Sequence, residues 1–402
     1  MQFYFVLIVI SVCPPGMFLD KSNRTEKLIK TVSSLGYPIE AHQIGTEDGY
    51  ILTAFRIPHG RNATMSSNLP IILNHGMLGS AENYIWMGPQ RSLAYILADN
   101  GYDVWLMNCR GTSHSKKHKK LNPEQKKFWD FSFHEIGVYD IPAVIDHILN
   151  ATDQSNLFYV GHSQGCTTIF VMGSERPEYN EKIKLAVALA PGAIYKNFKQ
   201  PWIELLLKLV PLDQLELLAD SLKLYQIPPP YFSENDIAEL LTMLCVTNTN
   251  KFMKKLCNLS FEMTADTDME NIDQEDVASI LSILIDSISV KQALHYGQLI
   301  VSGNFQNYDY GPKINKQKYN TSSPPLYDLK NIKYPTALFF GKTDQLVSPE
   351  DTRLLAKQLP NVVYYSPVPL THFSHLDFII NKHNEHFVYT PILKLLERFK
   401  NK

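Results

Sequence analysis

The sequence predicts an α/β fold in which a mostly parallel central sheet is flanked by helices and interrupted once by a helical cap. Three observations carry this. Short, largely apolar runs of strand length, such as Pro70–Asn74, Leu157–Val160 and Pro335–Phe340, alternate with helix-length stretches, which is the mark of a parallel sheet covered on both faces. Between about Ala193 and Tyr310 the strand signal disappears and helical periodicity replaces it. The run Leu157-Phe158-Tyr159-Val160 ends in Gly161-His162-Ser163-Gln164-Gly165 and a helix-like stretch follows, so a serine stands at the apex of a sharp strand-to-helix turn.

Taken in order, a short amphipathic helix near Thr25–Ser34 leads through Gly36-Tyr37-Pro38 to two extended runs around Glu47-Asp48-Gly49, where Asp-Gly supplies the positive φ of a tight hairpin. Strands are expected at Pro70–Asn74, Tyr102–Met107, Leu157–Val160 and Leu185–Leu189, with helices near Ser92–Asn100, near Tyr139–Leu149 and after Gln164. In the insertion, Trp202–Val210 and Val277–Ile285 carry helical spacing. Tyr308–Pro325, which contains glycine and proline, is the return linker. Strand Pro335–Phe340, helix Pro349–Leu359, strand Val362–Tyr365 and a closing helix near Tyr389–Phe399 complete the pattern. There is no internal repeat and no low-complexity tract.

With 402 residues, 45% of them hydrophobic and 19% charged, the chain can bury a large core. A net charge of -2 and a pI near 6.7 give no reason to expect nucleic-acid binding, and the basic run Lys116–Lys120 reads as a solvated loop. Phe3–Ile10 before Pro14-Pro15-Gly16 is too short for a membrane span and has the length of a signal-peptide core. The expected division is therefore a leader over 1–16, a core over 17–192 and 311–402, and a cap over 193–310. No other apolar stretch is long enough to cross a bilayer. Asn-x-Ser/Thr sequons at Asn23, Asn62, Asn150, Asn258 and Asn320 agree with passage through the secretory pathway. Of five cysteines, Cys13 lies in the leader, Cys109 and Cys166 sit in apolar settings as buried thiols, and Cys245 and Cys257 are the candidate disulfide pair. No Cys/His cluster has zinc spacing, so neither metal nor cofactor is expected.

The Gly-x-Ser-x-Gly turn matters chemically because it holds a serine clear of the sheet, where its hydroxyl can act as a nucleophile. A serine hydroxyl needs a base within hydrogen-bond reach and a carboxylate to orient that base. Downstream of Ser163, Asp344 follows the strand Thr336–Phe340 in the turn Gly341-Lys342-Thr343-Asp344, where a carboxylate emerges at a strand's C-terminal end. Glu350 and Asp351 open a helix after Pro349 and are better read as first-turn acids favoured by the helix dipole. Gly341-Lys342-Thr343 imitates the end of a phosphate loop, but Thr336 stands where the first glycine belongs, which excludes nucleotide binding. For the base, Thr371-His372-Phe373-Ser374-His375 offers two histidines, between which position alone does not choose. One oxyanion donor is the backbone N–H of Gln164; the second would come from the loop after Pro70–Asn74.

Nearly the whole chain resembles the acid lipases of the α/β-hydrolase fold, comprising gastric and lysosomal acid lipases and their secreted invertebrate relatives. The resemblance rests on Thr46-Glu47-Asp48-Gly49-Tyr50-Ile51-Leu52, His75-Gly76, Leu97–Trp105, Phe128-Trp129 with Tyr139-Asp140, Gly161–Gly165 and His375-Leu376-Asp377-Phe378. It implies that His375, before Leu-Asp-Phe, is the catalytic base, that Asp344 is the matching acid, and that Met77 in His75-Gly76-Met77 supplies the second oxyanion amide. Three positions depart from the family's pattern: Cys166 for a threonine, Ser374 for an asparagine, and Arg110-Gly111-Thr112 without the asparagine that commonly follows its glycine.

The resemblance implies a secreted or lysosomal monomeric serine esterase that cleaves triacylglycerols or sterol esters at a lipid–water interface. Trp202–Leu222, with apolar clusters between Glu204, Lys208, Asp213 and Asp220, has the pattern of an amphipathic lid covering an acyl pocket and touching lipid, while most helices of the insertion are expected simply to bury their apolar stripe on the core. The rival readings are a carboxylesterase of short-chain or foreign esters and a non-catalytic lipid-binding protein.

Overall fold

A computed structural model of the chain describes residues 24–62, 69–229 and 285–400, together with 242, 250, 271–273, 276, 277, 280 and 283. The expected leader, the sequons at Asn23 and Asn258, and the candidate disulfide cysteines Cys245 and Cys257 lie outside the described residues. Among the described residues ten strands form in chain order: β1 (Glu40–Gly45), β2 (Ile51–Ile57), β3 (Pro70–Asn74), β4 (Asp103–Leu106), β5 (Leu157–His162), β6 (Ile183–Leu189), β7 (Gln226–Ile227), β8 (Ile288–Ser289), β9 (Thr336–Phe340) and β10 (Val362–Pro367). Eight of them make one sheet in the order β1-β2-β4-β3-β5-β6-β9-β10. From β4 to β10 every pairing is parallel, and β1 and β2 form an antiparallel edge, with β2 also antiparallel to β4.

The alternation of side chains along each strand explains the near-continuous apolar runs. On one face Ile71, Leu73, Val160, Val187 and Phe339 pack against helices Arg24–Ser34, Leu93–Asp99 and Thr390–Lys400. On the other, Ile72, Trp105, Tyr159, Ala188 and Leu338 pack against helices Ile141–Thr152, Gln164–Glu175 and Pro349–Gln358. Every residue of β3, β4, β5 and β9 is buried, as expected of strands with both faces covered.

Between β6 and β9 the chain leaves the sheet. Helices Pro201–Leu209 and Leu212–Ser221 carry no buried residue among them, and helix Val290–Ser302 packs inward through His295, Tyr296 and Leu299. Two expectations need correction. The stretch is not strand-free, since β7 and β8 pair as a two-residue antiparallel ribbon. The return linker also contains a helix, Pro312–Tyr319. Its sequence, Pro-Lys-Ile-Asn-Lys-Gln-Lys-Tyr, has no apolar stripe; what holds it is Asn315, buried and bonded to Asp309 Oδ1 at 2.7 Å and the Ser322 carbonyl at 3.1 Å. Asn320 closes it in the left-handed region at φ 61°, which asparagine tolerates.

Cys109 and Cys166 are buried thiols, and burial pushes both well up from the ordinary value. Asn62, Asn150 and Asn320 are exposed. Within the basic run, Lys116 reaches the Ser287 hydroxyl at 2.8 Å, while Lys117, Lys119 and Lys120 are exposed. Among the described residues no helix is long and apolar enough to cross a membrane, and no cluster of His, Cys, Asp and Glu could hold a metal ion.

Candidate active site

The site lies at the C-terminal ends of the parallel strands, where the sheet order sets β3, β5, β6 and β9 side by side. β5 runs buried to His162 and turns at once into helix Gln164–Glu175, leaving Ser163 at φ 52°, ψ -112°. A non-glycine residue holds this conformation only where its surroundings impose it. Here the crossing is too tight for side chains at the flanking glycines: a Cβ on Gly161 would stand 2.6 Å from the Gly165 carbonyl carbon, and one on Gly165 would stand 2.4 Å from the Asn74 oxygen. The Ser163 N–H donates to the Leu189 carbonyl at the end of β6 at 2.9 Å, fixing the turn to its neighbour.

The structure brings Ser163, His375 and Asp344 together. Ser163 Oγ lies 2.7 Å from His375 Nε2, and His375 Nδ1 lies 2.9 Å from Asp344 Oδ2. The other carboxylate oxygen of Asp344 accepts the N–H groups of Leu346 at 3.0 Å and Val347 at 2.7 Å. An ionised carboxylate only accepts, so Nδ1 carries the imidazole proton and Nε2 is free to accept from the serine hydroxyl. Both His375 and Asp344 are buried.

His372 is exposed and lies outside this group; its carbonyl accepts from Asn271 Nδ2 at 3.1 Å. Glu350 pairs with Lys199 at 3.0 Å, and Asp351 accepts from the N–H and side-chain amide of Asn197 at 2.9 and 2.8 Å, so both remain in the first turn of helix Pro349–Gln358. Ser374, beside His375, ties the loop down: its N–H donates to Asp377 Oδ2 at 2.7 Å and its hydroxyl to the Thr343 carbonyl at 3.3 Å.

Gln164 is the first residue of its helix, so its N–H has no carbonyl one turn behind it. Met77 is exposed and belongs to the turn Gly76–Gly79, closed by the Gly79 N–H on the Gly76 carbonyl at 3.1 Å. Leu78, third in that turn, has φ 63°, a position at which glycine is usual. His75 is buried, accepts the Cys109 N–H at 3.2 Å and donates to the Gly76 carbonyl at 2.8 Å. Met77, Ser163 and His375 all face a cavity of about 160 Å³ whose other walls include Phe198, Ile203, Tyr296, Ile300 and Ile379.

Sequence reasoning passed over three residues of this neighbourhood. His162 donates from Nε2 to the His375 carbonyl at 2.9 Å, and burial, then the adjoining His375, pushes its pKa down to about 3. It therefore stays a neutral donor across the range where carboxylates titrate. Gln292, in the insertion, donates to the Gln164 side chain at 2.6 Å. Glu82, just beyond the Gly76–Gly79 turn, accepts from Arg24 Nε at 2.7 Å, from His114 Nε2 at 3.2 Å and from the Ser80 hydroxyl. Only His162 had a sequence signal, as a member of the serine motif.

Burial alone would raise the Glu82 carboxyl, but the Arg24 charge and the His114 and Ser80 hydrogen bonds outweigh it and hold the pKa well below the usual carboxylate range. A folded pKa below the unfolded one contributes stability above the unfolded value and loses it as pH falls. Glu82→Gln is therefore expected to lower the thermal midpoint at pH 7 by a gap that narrows as pH falls below the usual carboxylate range and is still partly open at pH 3, because the folded carboxyl titrates lower than that; a constant gap from pH 7 to pH 3 would contradict this coupling.

The chain is similar to known proteins over most of its length. Residues 70–378 match the family model described as alpha/beta hydrolase fold, and residues 28–88 match a partial alpha/beta-hydrolase lipase region. The chain is 38% identical to Lipase 3 of Drosophila melanogaster over 96% of both chains. It is 36% identical to gastric triacylglycerol lipase of Homo sapiens over 94% of this chain and 92% of that one. Lipase member K of Mus musculus is also 36% identical, over 91% and 89%. A crystal structure from Sulfolobus solfataricus superposes with a TM-score of 0.60 at 16% identity, covering 90% of this chain and 94% of that one, a likeness of fold alone.

Proposed function

The chain belongs to the α/β-hydrolase lipases, the family of the gastric triacylglycerol lipases, and from that membership we propose that it hydrolyses carboxylic esters of neutral lipids, triacylglycerols or sterol esters, through an acyl-enzyme. The observation that carries this reading is the chain of hydrogen bonds from Ser163 through His375 to Asp344. Ser163 Oγ attacks the ester carbonyl as His375 Nε2 takes its proton. Asp344 holds the imidazole in the reactive tautomer and stabilises the imidazolium. The oxyanion meets the N–H groups of Met77 and Gln164, His375 protonates the departing alcohol, and a water activated by the same histidine releases the acyl group from Ser163.

The apolar walls of the cavity support an acyl chain as the bound group. Leu205, Leu209, Leu217 and Leu218, exposed on helices Pro201–Leu209 and Leu212–Ser221, and Leu222 just beyond the second, support contact with a lipid–water interface. We take residues 193–310 as a cap over a core formed by 17–192 and 311–402. The leader-like start and the five sequons support secretion, or delivery to a lysosome, and we assign the protein as a monomer that uses neither metal nor cofactor.

An alkyl phosphonate, which phosphonylates an activated serine, is expected to label Ser163 and to block hydrolysis of long-chain triacylglycerol and cholesteryl ester emulsions alike. Labelling with activity confined to dispersed short-chain esters would make the protein a carboxylesterase. No labelling would leave a lipid-binding protein without catalysis.

A further inference from the structure

We propose that Asp286 is a positioning residue for the oxyanion loop, clamping the turn that presents the Met77 amide; the proposal rests on the reading of Met77 as an oxyanion donor. The turn needs a clamp. Its third residue, Leu78, sits at φ 63° with a full side chain, a conformation that persists only where neighbouring groups over-determine it. Within the turn the single bond from the Gly79 N–H to the Gly76 carbonyl closes the ring but leaves the Leu78 carbonyl to be held from outside.

That hold comes from the trailing end of the insertion, just before β8. The Asp286 N–H donates to the Leu78 carbonyl at 2.7 Å. A second tie runs from Asn83 Nδ2 to the Ile283 carbonyl at 3.1 Å, while Asn83 Oδ1 accepts the Ser80 N–H at 3.1 Å. The Asp286 backbone can hold Leu78 only if Asp286 itself is fixed, and its wholly buried carboxylate does this. One oxygen accepts the N–H groups of Ser113 at 2.7 Å and Ser287 at 2.6 Å; the other accepts the Ser113 hydroxyl at 2.8 Å and faces the Arg24 guanidinium at 3.5 Å. Ser113 follows β4 in a tight segment closed by the Thr112 N–H on the Cys109 carbonyl and the Ser115 N–H on the Thr112 carbonyl. The anchor is thus the sheet itself.

An oxyanion donor binds the transition state more tightly than the ground-state carbonyl. Loosening the clamp should therefore lower kcat and leave KM nearly alone, whereas a merely structural residue would alter thermal stability without that split. In Asp286→Asn, kcat on a dispersed short-chain nitrophenyl ester is expected to fall about tenfold with KM within about twofold, and phosphonate labelling of Ser163 to slow in parallel. The same exchange made in a Leu78→Gly background should cost no more than about threefold, because glycine takes the left-handed conformation unaided. An unchanged kcat in Asp286→Asn, or an equal loss in both backgrounds, overturns the proposal. If Asp286→Asn does not fold, Ser113→Ala removes one bond to the same carboxylate and is read the same way, with an expected loss of about threefold.

Met77→Pro separates this proposal from the reading beneath it. Proline suits the second position of such a turn but has no N–H, so kcat is expected to fall about 10²- to 10³-fold. Full activity in Met77→Pro would remove the oxyanion assignment and the clamp together. Loss in Met77→Pro with a silent Asp286→Asn would leave the assignment standing and reject the clamp alone.

Discussion

Ser163→Ala is expected to reduce ester hydrolysis by about 10⁴- to 10⁶-fold while leaving the thermal midpoint within the scatter of the parent protein, and the double variant with His375→Ala should be no worse than either alone. The expectation follows from the geometry. Ser163 contributes its hydroxyl to one bond, with His375 Nε2 at 2.7 Å, and alanine tolerates the φ of 52° no less well than serine, so the turn survives. Asp344→Asn gives a sharper form of the same test. The asparagine oxygen can still accept the Leu346 and Val347 N–H groups, which turns its NH₂ toward His375 Nδ1. That forces Nδ1 to accept and puts the imidazole proton on Nε2, where it faces the serine hydroxyl and cannot take its proton. Activity should fall about 10⁴-fold by the wrong tautomer alone. Retention of more than a few per cent of kcat by any of these variants, measured with a chromogenic ester, would dismantle the assignment of the three residues.

The second large effect lies in the core. Arg110, buried, reaches Asp140 from Nε at 2.8 Å and Asp48 from its two terminal nitrogens at 2.6 and 2.9 Å, and its guanidinium lies 4.0 Å from the Tyr50 ring centre. Its own N–H donates to the second oxygen of Asp140 at 3.0 Å. The two acids respond differently. In wholly enclosed Asp140, burial outweighs the Arg110 charge and raises the carboxyl. In Asp48, which keeps some contact with solvent, burial is overcome by the Arg110 hydrogen bond and charge, and the carboxyl is lowered. Arg110→Met fills the space but strands two carboxyl groups, and it should destabilise the protein by about 3–5 kcal/mol.

The pH dependence has a definite sign. Asp48 contributes stability to the parent protein above its unfolded pKa and loses it as pH falls; in the variant, both acids without a cation would rise above their unfolded values and relax only when protonated. The stability gap between the two proteins should therefore narrow from pH 7 to pH 4 in denaturant titrations. A gap that widens would contradict the ion-pair account.

Much of the sheet was legible because fully covered strands leave a local mark. β3, β5 and β9 are short apolar runs bounded by polar or glycine turns, and Asp344 could be picked out because it follows the last residue of β9 by four positions. The choice of histidine was not legible in the same way. His372 and His375 share one loop, and what distinguishes them is the bond from His162 Nε2 to the His375 carbonyl and the reach of Asp344, both made across the sheet. Helix Pro312–Tyr319 was missed because it carries no apolar stripe from which a helical period could be read. Gln292 and Asp286 could not be found at all: the one bonds the Gln164 side chain and the other the Leu78 carbonyl, each far away in sequence, and a tertiary contact of that kind prints no local pattern.

The position of β9 has a consequence for how the protein acquires activity. β9 pairs with β6, yet the chain between them makes the whole insertion first, so this pairing closes the longest loop in the sheet and carries the largest entropy of closure. Asp344 and His375 both lie beyond it. A refolding chain that has already assembled β1 to β6 would hold Ser163 at its turn, but with neither acid nor base beside it. Recovery of esterase activity during refolding should therefore lag behind burial of Trp105 in the early strands, and catalysis becomes a clock for the docking of β9.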